Sequence, residues 1–145
     1  MHGDPQWHQN YSRAAEMQEK LNWPLELALF FHQNFGKELG NFLELFEKRA
    51  VPISHILVFY RKHMTGPDLL KQVIPVLKSR FPRIPLGGGT DAHFTELNRM
   101  QLDGSFLDFV SYSICPQVHA FDNLTLIENL EAQPETIMTA RAKFK

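Results

Sequence analysis

Polar and titratable side chains gather in four clusters along the 145-residue chain: His32, Gln33 and Asn34; Arg61, Lys62 and His63; Thr90, Asp91, His93 and Glu96; and Gln117, His119, Asp122 and Asn123. A carboxylate and an imidazole held in one closed cleft can have their pKa values driven apart, so that one serves as base and the other as acid. Glu96, His119 and Asp91 are of the types for that work. Around them in sequence, Thr90, His93, Asn98, Arg99, Gln117, Asp122 and Asn123 could hold a polar substrate or face a developing oxyanion. Glu96, Asn98 and Arg99 would sit at a short helix start, where a substrate carboxylate finds donors. Each has a plainer reading as well. Loops are polar anyway, Arg99 serves equally as an ion-pairing residue, and Asp122 or Asn123 could simply cap the following helix. Asp91, His93 and Glu96 carry metal-ligand chemistry, but their spacing is not that of a zinc motif, and no metal or cofactor is expected.

Three further features bear on the chemistry. The run Gly87-Gly88-Gly89 packs nothing and loses entropy in a strand interior. It fits a sharp bend, or a place where a ligand or side chain comes close to the backbone. It has neither the Gly-Lys-Ser/Thr ending of a phosphate loop nor the dinucleotide-binding spacing. Cys115 has no basic neighbour in sequence and reads better as a small buried residue than as a nucleophile. Glu26 lies in an apolar run, in step with Ala28 and Phe30 and out of step with Leu25, Leu27 and Leu29. It is either a group facing the interior of a barrel, and then a candidate substrate contact, or a residue before the strand begins.

The elements that must position these groups alternate. Ser12–Leu21 has helical spacing and ends at Trp23-Pro24. Leu25–Phe31 reads as a buried strand, Gly36–Arg49 as an amphipathic helix, and Ile53–Tyr60 as a second strand rich in β-branched and aromatic residues. A helix is expected after Thr65-Gly66-Pro67-Asp68, with Thr65 as a candidate cap and a kink or break at Pro75. Ile84–Gly88 and Phe109–Ser113 are the third and fourth strands. Leu124–Ala140 is helical, bent or split near Pro134. This order predicts an α/β fold with parallel strands, in which a site sits at the C-terminal ends of the strands, in the loops around 90–99 and 112–123. Four β/α units are half of an eight-stranded (β/α)8 TIM barrel. Residues 1–145 therefore read as an incomplete TIM barrel, the C-terminal part of such a domain, or else as a small open α/β domain.

With 43% hydrophobic and 21% charged residues the composition is globular. A net charge of −1 gives no basic surface for nucleic acid. No apolar run is long enough for a bilayer. The polar start lacks a signal-peptide core and the lone cysteine fits a reducing compartment, so a cytoplasmic location is expected.

The block Gly88–Arg99 together with Ser111–Asn123 resembles the barrel domain of the D-apionate lactonase family, with a looser similarity from Leu25 to about Phe144. The chain departs from that pattern at His93 and Cys115. The resemblance implies a barrel like those of clan A glycoside hydrolases, and a hydrolase that opens a small sugar-acid lactone with water. A base such as Glu96 or His119 would activate the water, and Arg99, Asn98 or Gln117 would stabilise the oxyanion. The implied partner is a small-molecule sugar-acid lactone or other carbohydrate. Two competing readings stand beside it. One is a glycoside hydrolase using two of Glu96, Asp91 and Glu26 across one cleft. The other is an inactive, self-associating fragment.

Overall fold

In the computed structural model, which describes residues 5–61, 64–115 and 121–144, each apolar run becomes a strand of one parallel sheet. The elements are α1 (Trp7–Leu21), β1 (Leu25–Phe31), α2 (Phe35–Lys48), β2 (Ile53–Tyr60), α3 (Pro67–Arg80), β3 (Leu86–His93), α4 (Phe94–Arg99), a 3-10 turn (Gly104–Phe106), β4 (Phe109–Ser113), α5 (Asn123–Glu131) and α6 (Gln133–Lys143). The sheet order β1-β2-β3-β4 is that of successive barrel units.

The two faces of the sheet follow from the alternation of side chains. Leu29, Phe31, Ile56, Val58 and Leu86 pack against Ala15 of α1, Phe42 of α2 and the stripe Leu69, Leu70, Val73, Ile74 and Leu77 of α3, which together form the core. Glu26, Ala28 and Phe30 point the other way. So do His55, Leu57 and Phe59, which are their register partners on β2. On this inner face the Phe30 and Phe59 rings stack with centroids 5.1 Å apart.

Local signals set most ends. Asn22 closes α1 in the left-handed conformation (φ 53) with its N–H on the Gln18 carbonyl. Asn34 caps α2 by accepting from the Lys37 N–H. Pro75 does not divide α3, which runs unbroken from Pro67 to Arg80. Pro75 and Lys71, whose carbonyl loses its helical donor, are both exposed. The buried stripe on the opposite side outweighs the cost, about 3 kcal/mol, of a mid-helix proline.

Thr65 does not cap α3. Gly66 occupies the cap position and no side chain bonds there. Instead the segment Met64-Thr65 folds back as a wedge between β2 and β3. Met64 makes single antiparallel bridges to Tyr60 and Thr90. The buried Thr65 hydroxyl donates to the Val58 carbonyl at 2.5 Å and accepts from the Gly89 N–H at 2.9 Å. Thr65→Val should cost on the order of 3 kcal/mol, because it leaves a buried N–H and a buried carbonyl unpaired while keeping the shape. Urea unfolding checks this, with Thr65→Ser as the variant that keeps both bonds. An unchanged midpoint for the valine variant would show that the hydroxyl contributes nothing.

The glycine run is strand, not bend. β3 continues through it to His93, and each glycine is crowded by a neighbour. A Cβ on Gly87 would fall 2.3 Å from the Phe109 ring, and one on Gly88 would fall 2.7 Å from the Thr65 Oγ1. Gly89 has φ +130, and a Cβ there would meet the Ser111 carbonyl oxygen at 2.2 Å. The expected close approach is present, and it comes from within the chain.

Both outer edges of the sheet, β1 and β4, are unpaired among the described residues. Large exposed apolar side chains flank them: Met17, Leu21 and Trp23 near β1, and Ile114, Phe121, Leu124, Ile127, Ile137 and Met138 beyond β4.

Candidate active site

The C-terminal ends of the strands bring together His32 after β1, Arg61 after β2, Thr90 to His93 in β3, and Ser113 to Cys115 in and after β4. The loop bearing His32 is fixed from below. The buried Glu38 carboxylate of α2 accepts backbone N–H groups of His32 (2.8 Å), Gln33 (3.2 Å) and Asn34 (3.4 Å), an arrangement that stabilises an ionised group away from water. The His32 Nδ1 is hidden from solvent without a hydrogen-bond partner.

At the top of β3 the pairing jumps from Gly89 opposite Ser111 to His93 opposite Ser113. β3 therefore carries extra residues in a bulge, a device that re-aims side chains. Thr90 is fully buried there, and its hydroxyl accepts the Ala92 N–H at 3.0 Å, so it closes the bulge. Asp91 and His93 are exposed at the strand end. The Asp91 carbonyl accepts from the Ser113 hydroxyl at 2.5 Å, which ties the two strand ends together.

Glu96 lies in the first turn of α4, and its Oε2 is sealed from solvent with no hydrogen-bond partner. A buried carboxylate oxygen without a donor is costly, and such sites are where function is sought. Asn98 and Arg99 lie in the last turn of this six-residue helix, not at its start, and both are exposed. The Asn98 carbonyl accepts from Lys143 Nζ of α6. α4 thus turns away along the outer layer, and the expected anion site at its N-terminus has only about one and a half turns of helix behind it.

Beyond β4, Gln117 and His119 lie outside the described residues. Asp122 is the cap of α5, and its carboxylate accepts the Thr125 N–H (2.9 Å) and hydroxyl (2.8 Å). Those bonds, the backbone one first, hold it below the usual carboxylate range. Asn123 is the first residue of α5, not its cap. Cys115 is exposed, not buried; it follows β4, an edge strand of the sheet among the described residues.

Glu26 is on the inner face, as its step predicts, but at the wrong end. It is the second residue of β1, roughly 16 Å of strand short of the C-terminal end. There its Oε2 sits 3.2 Å from His55 Nε2, and the His55 ring meets the Phe109 ring edge-on at 5.3 Å. Glu26 thus pairs with His55 near the start of β1, while Asp91 and His93 stand at the end of β3.

The family model of the D-apionate lactonase TIM barrel domain matches residues 2–145. The chain belongs to this family. A curated D-apionate lactonase from Brucella anthropi is 40% identical over 75 residues, which is 52% of this chain and 12% of that relative. The chain thus spans a small part of the length of that lactonase. No solved structure matches it. Membership in the lactonase barrel family agrees with the parallel four-stranded sheet and its alternating helices. No helix among the described residues is long and apolar enough to cross a membrane, and no described group of three His, Cys, Asp or Glu side chains is placed to hold a metal ion.

His32 and Arg61 belong to the first two strand-end clusters, but sequence reasoning does not single them out; what joins them is the Arg61 Nε bond to the His32 carbonyl at 2.8 Å, a contact between residues 29 apart in sequence.

Proposed function

We propose that this domain contributes the strand-end residues of a hydrolase that opens a sugar-acid lactone with water, and that it forms the C-terminal part of a larger barrel. The name of the Brucella relative makes D-apionate lactone the first substrate to test. Family membership supports the reaction class. The structural observation that carries the reading is the solvent-sealed, unpartnered Glu96 Oε2 behind the end of β3. In this mechanism Glu96 takes a proton from water as it adds to the lactone carbonyl, and His119 is the alternative base. Asp91 and His93 line the mouth. Of the candidate donors, Gln117 meets the developing oxyanion. The unpaired parallel edges and their apolar flanks support further β/α units on both sides.

The test is turnover of a panel of sugar-acid lactones, D-apionate lactone included, by the full-length protein, followed by proton release. Opening of at least one lactone well above its spontaneous rate is expected. No acceleration for any member would sink the reading.

A further inference from the structure

We propose that Arg61 is the carboxylate-recognising residue of this site, gripping the acid end of the opened sugar acid. The proposal rests on the lactone-hydrolase reading above. Opening the lactone adds a water oxygen to the carbonyl carbon and breaks the acyl carbon to ring oxygen bond. The ring oxygen leaves as a hydroxyl with one proton, and the acid releases another. A neutral ring becomes a carboxylate, and negative charge grows on the carbonyl oxygen on the way. A fixed cation at the strand ends therefore meets its full counter-charge only in the product.

Arg61 has that character. It stands one residue past β2, in the turn by which the chain folds back to pair Met64 with Tyr60. The inner-face rings of Phe30 and Phe59, 5.1 Å apart, precede His32 and Arg61 by two residues each. The Arg61 Nε donates to the His32 carbonyl at 2.8 Å, and its guanidinium carbon lies 5.6 Å from the centre of the Tyr60 ring. These contacts orient the fork but use only Nε. Its two terminal nitrogens remain for a bidentate grip on a carboxylate. No carboxylate pairs with it among the described residues, whereas Arg49 holds Glu19 and Arg80 holds Glu47. The neighbouring His32 keeps a hidden, unpartnered Nδ1, so two groups with unmet hydrogen-bonding capacity stand together.

The experiment compares wild-type, Arg61→Met and Arg61→Lys full-length protein in the opening of D-apionate lactone, with D-apionate as product inhibitor. Arg61→Met should raise the inhibition constant of D-apionate about 10- to 100-fold, the span of a charge-assisted pair of bonds. It should lower kcat and leave the KM of the neutral lactone within about three-fold. Arg61→Lys should lie between, because a point charge keeps attraction without the fork. Thermal melting should not move, because Arg61 is exposed. An active wild type whose methionine or lysine variant keeps the wild-type inhibition constant overturns the assignment of Arg61 alone. A wild type that opens no lactone overturns the underlying reaction, and the assignment with it.

Discussion

Glu96→Gln in the full-length protein should slow lactone opening by about 10²- to 10⁴-fold, the contribution of a positioned acid–base group. The substitution keeps the size and planarity of the side chain and removes only its capacity to take and return a proton. Glu96 Oε2 is already hidden without a donor, so the amide forfeits no bond there. Stability should stay within about 1 kcal/mol of wild type. The informative measurement is kcat/KM beside a melting curve. A general base lost at Glu96 lowers kcat/KM and leaves the melting curve in place, whereas a merely structural role would move the melting curve. A folded variant with wild-type rates at all pH values would exclude Glu96 from the chemistry.

The largest effect on stability is expected at Gly89. An alanine there needs φ +130, which L residues rarely adopt, and its Cβ would lie 2.2 Å from the Ser111 carbonyl oxygen. Neither atom sits at the end of a flexible side chain, so β3 and β4 must separate. We expect Gly89→Ala to cost roughly 3–5 kcal/mol, in the range reserved for strained backbone and overpacking. Gly87→Ala should cost less, because the obstructing atoms are the edge of the Phe109 ring, which can swing. Gly40 in α2 has nothing within 4 Å of the place a methyl group would take, so Gly40→Ala should stabilise by up to about 1 kcal/mol. Urea midpoints of the three variants test the ordering. A wild-type midpoint for Gly89→Ala would mean that the β3–β4 register is not the one described.

The strands and helices were legible where local pattern decides. β1, β2 and β4 start and stop where their apolar runs do, and α2 differs by one residue at each end. Illegible were features made by residues distant in sequence. Nothing near Gly87 announces that a ring from residue 109 will cross it, or that Thr65 will spend its hydroxyl between Val58 and Gly89. For the same reason the glycines looked like a bend. Pro75 looked like a break because propensity is local, while the burial that overrides it is not. Clustering after strands groups the candidate residues at one end of the sheet, but side-chain direction had to be read separately. Alternation put Glu26 on the inner face, yet it gives no height along the barrel, and Glu26 proved to be at the far end with His55.

Burial is divided unevenly along this chain. Neither α5 nor α6 buries a residue among those described, and every residue of β4 is only half-covered, while the core lies between β1–β3 and α1–α3. Protection against local opening follows buried apolar area. The segment that opens first is then the one carrying Ser113, whose hydroxyl secures Asp91. Half of the strand-end cluster would loosen while the rest stays folded. A partner packed on the β4 flank would thereby set the free energy of that opening, and with it the order of the strand-end cluster.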